Sequence, residues 1–182
     1  MAAGARAPSG TARGLRSLCA RRAKAPRMRA NLPRGGERSV KVEAGFVVPT
    51  DTPPMEAVQV DALPRGPAWQ YEPKWDGFRC LVFKAGDEVD LRAKSGKSLA
   101  RFFPEMIAAV RARPEASCVL DGELVIPLDG ALSFSALQDR LHPAASRVEK
   151  LARAHPSLFI AFDCLADAAA SSLLGSHLSE RR

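Results

Sequence analysis

The sequence predicts an α+β fold in which antiparallel strands are flanked by helices. Two apolar periods point to it. Val89, Leu91 and Ala93 alternate with Asp90, Arg92 and Lys94, the two-residue period of a half-buried strand. Phe134, Leu137 and Leu141 recur instead at helical spacing. With 182 residues, 46% of them apolar, the chain is long enough for one domain with a real core.

Taken in order, residues 69 to 74 read as a strand leading into a polar loop, and residues 78 to 83 as a second strand. Residues 84 to 88, Lys-Ala-Gly-Asp-Glu, read as the turn into the alternating strand. Pro104 suits the first turn of a helix, whose apolar face is Met106, Ile107 and Val110 and whose end is set by Pro114. Phe102 and Phe103 read as core. Residues 118 to 126 form an apolar strand interrupted by Asp121-Gly122-Glu123; a buried carboxylate in a strand needs a partner, which favours a working role for Glu123. Asp129-Gly130 turns the chain, Ser133 is placed to cap the helix through Leu141, a further helix covers 144 to 154, and a strand covers 158 to 165.

Charge divides the chain. Residues 1–41 hold eleven Lys or Arg against the single acid Glu37, leaving sixteen against nineteen for residues 42–182, so the net charge of +7 belongs to the N-terminal segment. That segment is rich in Ala, Arg, Gly and Pro and poor in large apolar residues. Its composition predicts disorder, because little apolar burial offsets the entropy of ordering. It is suited to nonspecific contact with nucleic acid phosphates and is Arg-rich and acid-poor as organellar transit peptides are. The preferred reading is a mis-assigned start, with translation beginning at Met28 or later. No run of 18 apolar residues occurs, so no membrane partner is expected. Cys19, Cys80, Cys118 and Cys164 are widely spaced, against both a zinc site and a disulfide scaffold.

The most informative segment is Tyr71-Glu72-Pro73-Lys74-Trp75-Asp76-Gly77-Phe78-Arg79. It sets a lysine, carboxylates and an arginine side by side, bracketed by Pro and Gly. An amine that attacks a phosphoryl group must be neutral. An unperturbed lysine, with a pKa near 10.4, is almost wholly protonated at neutral pH, and neutralising it costs about 4 to 5 kcal/mol. Burial and neighbouring cations can supply that change. Gly77 permits close backbone approach, and Asp76 and Gly77 are support residues of the loop.

This segment, then Val119-Leu120-Asp121-Gly122-Glu123-Leu124-Val125-Ile126, then Phe159-Ile160-Ala161-Phe162-Asp163, resemble in this order the nucleotidyltransferase motifs of ATP-dependent DNA ligases of the bacterial ligase C and ligase D kind. The likeness runs from about Pro53 to Arg182. It implies a ligase/capping-enzyme adenylation domain in which Lys74 takes AMP from ATP as a phosphoramidate. It further implies Glu72 near the adenine edge, Arg79 near ribose and phosphate, Glu123 on the ribose hydroxyls and Phe162 stacked on the base. Where such ligases usually carry Ser-Arg-Asn-Gly this chain reads Ala93-Lys94-Ser95-Gly96, so Lys94 stands in the place of an arginine that holds the 5′ phosphate of the nick, keeping the charge and losing the fork. A bland reading of the same stretch is a solvated basic turn. The implied cofactors are ATP and Mg2+ or Mn2+, with the metal-holding residues unknown. The implied partners are nicked double-stranded DNA and end-joining repair proteins, in a bacterial cytoplasm at the nucleoid.

After Phe162 only twenty residues follow, and they contain neither a second Glu-Gly-apolar segment nor a Lys-x-Lys pair. In the family these hold metal and α-phosphate. The expectation is therefore a partial adenylation domain over 42–182, truncated at the C-terminus, with the OB-fold domain absent, and an enzyme impaired on its own. Two alternatives stay open: a ligase remnant that at most binds nucleotide or DNA, and an RNA ligase or capping guanylyltransferase.

Overall fold

The computed structural model describes residues 18–22, 45–56, 60–67 and 69–182. Its elements in chain order are β1 (Leu18–Arg22), β2 (Trp69–Pro73), β3 (Phe78–Ala85), β4 (Glu88–Ala93), α1 (Pro104–Arg111), β5 (Ser117–Val125), β6 (Pro127–Leu128), β7 (Ala131–Leu132), α2 (Phe134–Arg140), α3 (Ala145–Ala154), β8 (Leu158–Ala166) and α4 (Leu178–Arg181). The centre is a four-stranded antiparallel sheet in the order β4-β3-β5-β8. The expected α+β architecture of antiparallel sheet and covering helices is the observed one.

Alternation assigns the two faces of this sheet. Cys80, Val82, Leu91 and Leu124 point to one side and join Phe103, Met106, Val110 and Leu137 in the main core. Helices α1 and α2 close that side. Pro104 stands at the start of α1, and the Ser133 side chain accepts from the Ala136 N–H at the start of α2, as a cap should. Leu81, Phe83, Val119 and Leu165 point to the other side, with Val48 and Phe46 packed on them. Arg79, Asp121 and Glu123 share the parity of this second set, and in the register Arg79 lies opposite Glu123 and Leu81 opposite Asp121.

Two readings need correction. Lys84 is not a turn residue. The β3–β4 turn is tighter, with Ala85 paired to Glu88 and Gly86 at φ 58°, and Lys84 lies in the strand, 3% exposed. Its ammonium donates to the carbonyls of Val110, Arg111 and Arg113 at 3.1, 2.8 and 2.9 Å, which satisfies acceptors left open at the end of α1. The second correction concerns the segment expected to be disordered. Most of residues 1–41 lies outside the described residues, but Leu18–Arg22 forms a strand antiparallel to β2, with Leu18 opposite Pro73 and Arg22 opposite Trp69. Ladder bonds use backbone groups that every non-proline residue carries, so a basic composition does not prevent pairing with an available strand.

Candidate active site

Six residues singled out from the sequence, Glu72, Lys74, Arg79, Lys94, Glu123 and Phe162, line one cavity of about 320 Å³ on the second face of the sheet. They come from six places in the chain. Glu72 is the penultimate residue of β2, Lys74 stands in the loop after it, Arg79 is the second residue of β3, Lys94 follows β4, Glu123 lies in β5 and Phe162 in β8. Pro54 and Met55 complete one wall. A volume near 300 Å³ in which Glu72, Lys74, Arg79, Lys94 and Glu123 converge beside the Trp75 and Phe162 rings suits a small, charged molecule.

Gly77 explains how the lysine loop reaches β5. A Cβ there would lie 2.2 Å from the Leu124 carbonyl oxygen and 2.8 Å from Cγ of Glu123, so only glycine lets the loop lie against the strand. Gly122 does the same on the β8 side, where a Cβ would meet the Phe159 ring at 2.4 Å. The Gly77 backbone lies against the Glu123 side chain. Burial pushes the Glu123 carboxyl above the usual range, and Arg79, the Gly77 N–H and Lys74 pull it partly back. Asp76 is exposed and does not line the cavity.

Lys74 is exposed. Its loop stands at the mouth of the cavity. Arg79 is held more firmly than its sequence position announced. It forks onto Asp121 at 2.5 and 2.6 Å, donates to the Met55 carbonyl at 3.1 Å, and sets its guanidinium 4.4 Å from the centroid of the Phe162 ring. Lys94 is exposed in a turn with Gly96 at φ 78°, and it pairs with Glu56 at 3.0 Å beside the cavity. Both the basic-turn geometry and the cavity position thus hold for this residue.

Four site-supporting residues escaped the sequence reading. Asp121 is fully buried beneath Arg79. Asp163, also buried, lies directly across the β5–β8 ladder from Asp121, and Arg181 and Arg182 approach it at 3.2 and 4.0 Å. The signal available was the pair of aspartates inside apolar strands, since a buried carboxylate demands a cation. Cys80 beneath the site is inert, its thiol pushed up by burial. Among the described residues no group of three or more His, Cys, Asp or Glu is gathered for an ion. No helix among them is long and apolar enough to cross a membrane.

Comparison with known proteins agrees with the motifs. The family model described as ATP dependent DNA ligase domain matches residues 54–182. The chain is 49% identical over 129 residues to DNA ligase C of Mycobacterium tuberculosis, covering 71% of this chain and 35% of that protein. It is 30% identical over 135 residues to the bifunctional non-homologous end joining protein LigD of Bacillus subtilis, covering 70% and 22%. A solved mycobacterial DNA ligase D complexed with ATP and MES is 32% identical, with a TM-score of 0.48 over 61% of this chain and 33% of that one. The chain spans about a third of the length of the ligase C relatives it matches.

Proposed function

Because the chain belongs to the ATP-dependent DNA ligase domain family, we propose that its cavity binds ATP and that Lys74 becomes adenylated there, as the first step of sealing a DNA nick. The observation that carries this reading is the convergence of Glu72, Lys74, Arg79, Lys94, Glu123 and Phe162 on one cavity beside an exposed lysine. In it the Lys74 nitrogen attacks the α-phosphorus of ATP, the nitrogen–phosphorus bond forms as the bond to pyrophosphate breaks, and the amine proton leaves to solvent. Entry of the nucleotide covers Lys74 and supplies the desolvation that the open cavity lacks.

The remaining side chains bind and orient. Glu72 accepts from the adenine edge and Phe162 offers its ring to the base. Glu123, as a carboxylate, accepts from the ribose hydroxyls. Arg79, braced by Asp121, faces ribose and phosphate. Lys94 faces the 5′ phosphate of the nick, to which AMP is passed before the 3′ hydroxyl displaces it. Magnesium or manganese accompanies the triphosphate. The partner is nicked double-stranded DNA, in end-joining repair, within the bacterial cytoplasm. Nonspecific DNA contact by the basic segment, and its start site, concern residues mostly outside those described.

The test uses residues 1–182 joined to the C-terminal remainder of Mycobacterium tuberculosis DNA ligase C, incubated with ATP labelled at the α-phosphate and magnesium. One label per chain is expected, on Lys74 by peptide mass, and Lys74→Ala should abolish it. Label that survives this substitution, or maps to another lysine, overturns the assignment.

A further inference from the structure

The buried aspartates reveal how the two groups assigned to the base are held together. Asp121 and Asp163 face each other across β5 and β8, 0% and 3% exposed. Like charges directly opposite destabilise a ladder unless each has its own cation. Arg79 serves Asp121. Arg181, carried by α4 whose Leu178 is buried, serves Asp163 at 3.2 Å.

Arg182 does something else. It is 4.0 Å from Asp163, but its Nε lies 2.8 Å from Oε1 of Glu72, and its guanidinium is 5.7 Å from the centroid of the Phe162 ring. The Arg182 and Glu72 side chains are 9% and 15% exposed, so solvent screens this pair little. Gln70 approaches the same Oε1 at 3.4 Å. Strand β2 is not part of the four-stranded sheet, so no ladder sets the position of Glu72 relative to Phe162 on β8. The Arg182 guanidinium spans that gap.

We propose that Arg182 is a positioning residue for base recognition, fixing the Glu72 carboxylate relative to the Phe162 ring, and this rests on the reading that the cavity binds ATP. A carboxylate so held accepts from the amino group of adenine and repels the carbonyl oxygen that guanine carries in its place. Loosening it costs affinity for ATP and preference for ATP over GTP together. Arg181, which touches Asp163 and not Glu72, has no such effect on choice.

The experiment titrates ATP and GTP into the 182-residue chain at equilibrium, with thermal melting of each variant. Arg182→Gln should weaken ATP binding about tenfold, the size of one lost, poorly screened ion pair, and leave GTP binding nearly unchanged. Arg182→Lys should recover part of the preference. Arg181→Gln should lower the melting temperature while keeping the ATP-to-GTP ratio. In a Glu72→Gln background Arg182→Gln should have no further effect on that ratio. Equal weakening of both nucleotides by Arg182→Gln, or a ratio change that persists without the Glu72 carboxylate, overturns the proposal. Glu123→Ala separates the two readings: if it weakens ATP binding while Arg182→Gln does not, only the positioning role fails. If Glu123→Ala is without effect, or the parent chain binds neither nucleotide, the nucleotide-site reading fails and the positioning role with it.

Discussion

The two faces of the central sheet are built from the same strands and solve opposite problems. On the helix-covered face, β3, β4 and β5 present Cys80, Val82, Leu91 and Leu124 to α1 and α2, and the result is a closed apolar core. On the cavity face, one residue out of phase, the same strands present Arg79, Asp121 and Glu123. There the charges are not dispersed into solvent. They are paired across strands and braced from below, Arg79 by Asp121 and Asp163 by Arg181. The comparison teaches that polar residues interrupting an apolar strand are meaningful when they share one parity, because a two-residue period delivers them all to one side.

Polar groups also occur on the helix side, and there they serve the fold. Arg140, 1% exposed, donates from one terminal nitrogen to both carboxylate oxygens of Glu105 at 2.6 Å and from its other two nitrogens to the carbonyls of Phe102 and His155, tying α2 to α1 and to the end of α3. The two lysines make the same contrast. Lys84 is buried with its donors on three helix-end carbonyls, while Lys74 stands exposed at the cavity.

Four perturbations test this division of labour. The largest loss of stability is expected from Glu105→Ala, which strands the Arg140 guanidinium in the core at a cost of about 3 to 5 kcal/mol. Urea denaturation should show it, and ATP affinity of the molecules that remain folded should be unaltered. Next is Lys84→Met, which leaves the end carbonyls of α1 without their donor and should cost about 1 to 3 kcal/mol, again without a direct effect on nucleotide. Gly77→Ala works on the other face. Forcing the lysine loop off β5 should cost about 1 to 3 kcal/mol, and ATP affinity should fall about tenfold as the added Cβ displaces the Glu123 side chain. If Gly77→Ala destabilises but binds ATP normally, the loop and Glu123 are not coupled as described.

The smallest effect concerns pH. Burial raises the folded-state pKa of Glu123, so its contribution to stability is fully present below the ordinary carboxylate pKa and is lost as pH rises through the raised value. Glu123→Gln should therefore flatten the stability profile across that window. ATP affinity should run the opposite way in the parent chain, increasing with pH as the carboxylate forms, and the variant should lose this increase. Matching slopes for parent and variant would show that Glu123 does not titrate in the folded chain as inferred.

Most of the fold was legible because it rests on local signals. Alternation in residues 89 to 94, Pro104 at a helix start, Asp129-Gly130 in a turn and Ser133 as a cap each act within a few residues of themselves. What local signals left open was the destination of long charged side chains. Lys84 looked like a turn residue because Lys-Ala-Gly-Asp-Glu is turn-like in composition, yet its stem follows the strand into the core and its head reaches carbonyls 26 to 29 residues away. Strand β1 was unreadable for a related reason, since what it requires is an available edge.

The sequence by itself determined the chemistry on offer: a lysine in a Pro- and Gly-bracketed loop, a carboxylate two residues before it, and Asp-Gly-Glu and Phe-Asp inside apolar strands. Tertiary structure alone decided which charge answers which. Arg79 meets Asp121 across 42 residues, Asp163 meets Arg181 across 18, and Glu72 meets Arg182 across 110. The physical reason is that an ion pair depends on distance in space, which strand register, a two-residue parity and the seating of Leu178 set together. No single stretch of chain contains that information.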